Sequence, residues 1–203
     1  MMKLTDTRAT NTKVKKTQDK PNSHFAKPVR MASLSMMPDH IICAGSKAAN
    51  CMEACLKDAG LAAVYDSVNI ARQAKTDYWH SDQAGFLDQL TRELTNFKKL
   101  CAKQNVQGVV RLNVLSDIPW EKHGIPQHFP DLFFYDYTKQ AKRLGNTLDN
   151  YRLMFSYSDR PQYQKQVAAA LPSGVPIAVV FKNSMPSKYL GRRVIDGDLS
   201  DLD

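Results

Sequence analysis

The chain has 203 residues, 43% hydrophobic and 24% charged, the balance of a globular domain rather than a fibrous or membrane-embedded one. No apolar run approaches the roughly eighteen residues a membrane-spanning helix needs, which argues against a membrane partner, and the N-terminus lacks the apolar segment of a secretory signal. With only four cysteines and no export signal, the expected setting is the reducing cytoplasm rather than a disulfide framework.

The net charge of +8 is unevenly spread. Residues 1–30 carry eight basic and two acidic side chains, so the remaining chain is nearly neutral. Residues 1–28, rich in Thr, Asn, Gln and Lys, read as a basic disordered arm. Such an arm either contacts nucleic acid phosphates or serves only as a solubilising terminus. Residues 29–203 read as one folded domain.

Within that domain residues 29–37 predict a first strand ahead of Pro38, and residues 43–55 read CAGSKAANCMEAC. A short helix is expected over 48–58, a second over 62–78, and a long one from the cap candidates Ser81 and Asp82 to about Lys103. The last of these carries Phe86, Leu87, Leu90, Leu94, Phe97, Leu100 and Cys101 as one apolar stripe, so Cys101 reads as core. The second half changes period. Residues 108–115, 132–137, 151–157 and 176–181 are near-continuous apolar runs with helical or irregular pieces between them, residues 162–171 being the clearest crossover helix. That rhythm predicts an α/β fold, a partial (β/α) barrel with mostly parallel strands buried on both faces.

Three of the four cysteines fall within thirteen residues as C-x7-C-x3-C. The first gap suits a loop and the second a helix, where residues four apart share a face. Cys43, Cys51 and Cys55 therefore form a candidate metal-ligand set. Three converging thiolates suit an iron–sulfur cluster. With His40, His80 or a folded-back Cys101 added they suit zinc.

Polar residues recur where the strands end. Asn113, Ser116 and Asp117 follow the first run of the second half, Asp136, Thr138 and Lys139 the next, and Ser156 and Ser158 the third. The carboxyl ends of parallel strands form the site in such folds, so these groups and the cysteine loop are expected on one rim. Asp117, Asp136 and Lys139 are the candidate catalytic groups. Asn113, Ser116, Thr138, Ser156 and Ser158 are candidates for cofactor contact. Ser116 and Asp117 also suit a helix cap ahead of Pro119, and Asp136 and Lys139 a buried ion pair.

CAGSKAANCMEAC, VRLNVLSDIPWE, FFYDYTK and FSYSDR together resemble the gene-product-88-like family of bacteriophage proteins, over roughly residues 30–200. Members are often labelled rolling-circle replication-associated, and the cysteine loop is similar to that of radical-SAM-like proteins. The resemblance implies a partial barrel with a [4Fe–4S] cluster on Cys43, Cys51 and Cys55, one iron being left for S-adenosylmethionine. It implies an iron–sulfur protein of the host cytoplasm, resembling radical-SAM enzymes and acting on an unidentified substrate, nucleic-acid-related substrates included. The alternative is a nucleic-acid-binding DNA-replication accessory in which the cluster, or zinc, is structural. The usual radical-SAM loop is C-x3-C-x2-C with an aromatic before its last cysteine, whereas Ala54 precedes Cys55 here. The histidines form no His-hydrophobic-His pair of the kind a rolling-circle nickase uses.

Overall fold

A computed structural model describes residues 3–6, 24–52, 55, 60–145, 148–197 and 202. Its centre is a six-stranded sheet in the order β1 to β6: β1 (Thr5–Asp6), β2 (Val29–Ser33), β3 (Gln107–Arg111), β4 (Phe133–Thr138), β5 (Tyr151–Ser156) and β6 (Ile177–Ala178). The strands are built from β-branched and aromatic residues, which fit a pleated buried surface. β2 to β6 pair parallel in chain order, the order of a (β/α) barrel segment left open, with β1 antiparallel on the outer edge of β2. Most of the expected basic arm, residues 7–23, lies outside the described residues. On either side of it, Thr5 and Asp6 pair with Ala32 and Ser33, and Phe25 stands edge-on to Phe133 at 5.1 Å.

Both faces of the sheet are apolar. Ala32, Val110, Phe134, Tyr151, Leu153 and Phe155 pack beneath the helices. Val29, Met31, Val109, Tyr135 and Met154 form a smaller cluster on the other face with Leu202. The main cover is α3 (Gln83–Gln104), whose Phe86, Leu90, Leu94, Phe97 and Cys101 are buried as the stripe predicts. Asp82 caps it by accepting from the Gly85 amide at 2.9 Å. α2 (Asp66–Ser81) begins later than the sequence suggests, because a 3₁₀ turn occupies Gly60–Ala63, and it runs on to Ser81. Among the described residues α4 (Ile125–His128), ahead of β4, and α5 (Gln164–Ala170), ahead of β6, complete the helices.

Three sequence expectations change. The helix expected over 48–58 is only α1 (Ser46–Ala49), ended by Asn50 in the left-handed conformation at φ 46°. Cys51 and Cys55 therefore do not share a helix face; residues 53, 54 and 56–59 of that stretch lie outside the described residues. The run 108–115 leaves the sheet after Arg111, where Asn113 turns the chain inward. The run 176–181 pairs only at Ile177 and Ala178. It is the edge strand, so Val180 is 97% exposed rather than buried. After it a two-stranded hairpin, β7 (Lys188–Tyr189) and β8 (Arg192–Arg193), turns at Leu190 and Gly191, both with positive φ. Among the described residues no helix is long and apolar enough to cross a membrane.

Candidate functional site

The cysteine loop leaves β2 and folds over the carboxyl ends of the next three strands. Asp39 shapes its start. One carboxylate oxygen accepts from the amides of Ile41 and Ile42 at 2.7 and 2.9 Å, and the other meets His80 Nε2 at 2.7 Å. Burial opposes ionisation there, but these amides and the His80 ring hold the Asp39 carboxyl below its ordinary value. The loop then docks on the end of β3. Asp117 N donates to Ile42 O at 2.7 Å, and the Cys43 thiol donates to Leu115 O at 3.5 Å. Ser158, beyond β5, donates to Ala49 O at 3.2 Å and ties α1 to the far side of the rim.

Lys139 holds the middle. Its amide donates to Asp117 Oδ2 at 3.0 Å, and its ammonium donates to the carbonyls of Ser156 and Tyr157 at 3.2 and 3.0 Å. The Tyr163 hydroxyl donates to Lys139 O at 2.7 Å, with its ring 5.5 Å from the ammonium. Gly45 lies directly against the Lys139 side chain, leaving no room for a Cβ. Gly45→Ala should therefore lift the loop off the rim and cost about 1–3 kcal/mol, the usual range for overpacking. Chemical denaturation checks this, and a cost below about 0.5 kcal/mol would mean that the loop is not seated on Lys139.

The three thiols share one electrostatic neighbourhood. Burial pushes the Cys43 thiol up to about 12, with Asp117, Cys51 and Cys55 adding to it. Burial also raises Cys51, the Lys139 ammonium opposing and Cys55 reinforcing the rise. Lys139 is lowered by its own burial against the pull of Cys51, Asp117 and Cys43. Cys43, Cys51, Asp117 and Lys139 are thus within electrostatic reach of one another at the carboxyl edge of a parallel sheet, Cys55 is within reach of both other thiols, and Ser156 and Ser158 complete the rim.

The other candidates stand under that rim rather than on it. Asn113 Oδ1 accepts from Ser116 Oγ, the Ile118 amide and Trp120 Nε1 at 2.9, 3.0 and 3.0 Å. Asn113 donates its own amide to Asp136 Oδ1 at 2.6 Å and its side chain to Ile118 O at 2.9 Å. Asp136, fully buried, also accepts from the Tyr151 hydroxyl at 3.0 Å. Thr138 Oγ1 accepts from the Gln140 amide at 3.0 Å. Arg143, 2% exposed at its side chain, ties this interior to the rim. It forks onto Glu121 with two 2.9 Å bonds, donates to Asp117 Oδ1, and donates to the Tyr151 hydroxyl at 3.0 Å. Glu121 takes the two-pronged contact. Asp117 lies deeper, so burial holds its carboxyl above the ordinary value despite Arg143. Trp120 is fully buried against Trp79 with ring centroids 5.4 Å apart.

Arg143, Tyr151 and Tyr163 were not singled out from sequence. Arg143 sits in a loop 22 and 26 residues from its carboxylate partners, and no local pattern links them.

Burial raises the Asp136 carboxyl to about 7, its hydrogen bonds and the nearby arginines only partly offsetting this. The folded state holds that proton up to about pH 7, whereas the unfolded chain releases it near pH 4. Between those values the folded state binds more protons, so stability falls as pH rises through this window. Asp136→Asn should flatten the fall. Unfolding free energies measured from pH 4 to 8 check this, and a profile that Asp136→Asn leaves unchanged would contradict it.

The donor set can be compared with a metal's needs. Three thiols with an ammonium neighbour suit a thiolate-ligated centre by type and charge. Among the described residues no three His, Cys, Asp or Glu side chains stand round one point, so loading a metal would have to draw the sulfurs together. The histidines proposed as a fourth zinc ligand are engaged elsewhere, His40 with Ser46 Oγ at 3.0 Å and His80 with Asp39.

An open, sequentially ordered parallel sheet with a three-cysteine loop over its carboxyl edge defines an α/β protein of the partial-barrel class. The sequence matches the family model described as Gene product 88 over residues 2–203, and the chain belongs to that family, the phage gene-product-88-like family that its motifs resemble. No curated protein and no solved structure matches it.

Proposed function

We propose that the chain is a phage-encoded iron–sulfur protein of the host cytoplasm, with its cluster at the carboxyl edge of the sheet. The observation that carries this reading is the shared electrostatic neighbourhood of the Cys43, Cys51 and Cys55 thiols beside Lys139. Those three cysteines would hold a [4Fe–4S] cluster, which supplies single-electron chemistry and leaves one iron for a small ligand such as S-adenosylmethionine. The protein's own part is electrostatic and positional. The Lys139 ammonium offsets the negative charge of the thiolates, and Tyr163 fixes the Lys139 carbonyl. Asp117, braced by Arg143 and by the Lys139 amide, faces the Cys43 side. Asp136 and Asn113 act from below by holding the strand ends in register.

Anaerobic reconstitution with iron and sulfide tests the ligand set. Wild type and Cys101→Ser should become brown to the same extent, because Cys101 is buried in the core. Single Cys43→Ser, Cys51→Ser and Cys55→Ser variants should lose most of the chromophore. Equal uptake by a variant lacking all three would refute the assignment.

A further inference from the structure

We propose that a second site, a cleft beside the cysteine rim, binds a small phosphate-bearing ligand. The cleft has a volume of about 360 Å³ and lies between the turn Trp120–His123 and the turn Ala141–Arg143. That volume is within the range of small-molecule pockets, about 300–1,000 Å³. Lys122 lines it from the first turn and Lys142 from the second, and Gln140, Arg143 and Gly145 also line it.

The charge balance of the lining identifies the ligand. Among the described residues Glu121 is the only carboxylate of the lining, and the Arg143 fork takes both its oxygens. Arg143 also holds the deeper Asp117. The ammonium groups of Lys122 and Lys142 pair with no carboxylate among the described residues. Two lysines without a carboxylate partner among the described residues, over an internally compensated floor, suit a compact polyanion, which lysine binds as a point charge. No described residue crowds Gly145, which lets the ligand approach the backbone there. The wall formed by Asp117 and Gln140, joined where Gln140 Nε2 donates to Asp117 O at 3.1 Å, separates this cleft from the thiols. The site does not depend on whether a metal is bound.

Calorimetric titration of the full chain with inorganic triphosphate tests it, and reads neither iron nor colour. One site should appear, weakening as salt rises. Lys122→Gln and Lys142→Gln should each weaken it roughly tenfold, as loss of a charge contact does. Lys99→Gln, an exposed change on α3, should leave it unchanged. Absence of binding at concentrations on the order of millimolar, or equal weakening by Lys99→Gln, would overturn the proposal. In competition, displacement by a nucleoside triphosphate assigns a nucleotide ligand. Displacement by a single-stranded oligonucleotide alone would overturn the small-ligand reading.

Discussion

Arg143→Met should destabilise the fold by about 3–5 kcal/mol, the cost of leaving buried charges without their partner. The arginine is nearly inaccessible, and its guanidinium serves Glu121, Asp117 and the Tyr151 hydroxyl at once. Methionine fills a similar volume, so the loss is electrostatic rather than a cavity. Two carboxylates would then face each other's charge in a low-dielectric interior, and Tyr151, which also donates to Asp136, would lose its donor. Lysine should not rescue the variant, because a single ammonium cannot reproduce the fork on Glu121 and the contact to Asp117 together. With a urea slope of about 2 kcal/mol per molar, the midpoint should fall by roughly 2 M. A loss below about 1 kcal/mol, the value of an exposed pair, would show that water reaches this cluster.

Asn113→Ala should cost about 3 kcal/mol or more, since each buried group left unpaired costs roughly 1–3 kcal/mol. Its carbonyl oxygen receives three donors, and its amide reaches Ile118 O and Asp136. Alanine would strand the Ile118 amide and the Trp120 indole N–H in the interior, while the Ser116 hydroxyl can turn elsewhere. Asn113→Asp would keep the acceptor but place a second carboxylate beside Asp136. The loss should be visible as a lower melting temperature together with a weaker near-ultraviolet signal from the buried Trp120. A melting temperature within a degree or two of wild type would mean that the turn from Asn113 to Trp120 is held mainly by packing.

Much of the sheet was legible because its cause is local. The runs at 108–115, 132–137 and 151–157 are too apolar for exposed strands and too short for helices, and they became three adjacent parallel strands. The stripe from Phe86 to Cys101 has one period and one solution. What sequence did not show depends on contacts between distant residues. Nothing local states that the apolar run at 176–181 has no neighbouring strand on its outer side among the described residues, or that Asn50 in a left-handed conformation ends α1 before Cys51. The rim was visible as polar strand ends, but the pleat decides where each side chain goes. Asn113 and Asp136 turn beneath the helices into a hydrogen-bonded interior, while Lys139, just past the end of β4, remains beside the cysteine loop. Arg143, which joins the two levels, has partners only through the fold.

The assignment of a cluster to Cys43, Cys51 and Cys55 is a proposal about composition. It is tested most directly by the iron, acid-labile sulfide and zinc content of the full chain after anaerobic preparation and reconstitution. The expected result is a brown protein with about four iron and four sulfide per chain. A folded, colourless protein without iron, or one holding zinc without sulfide, would contradict it.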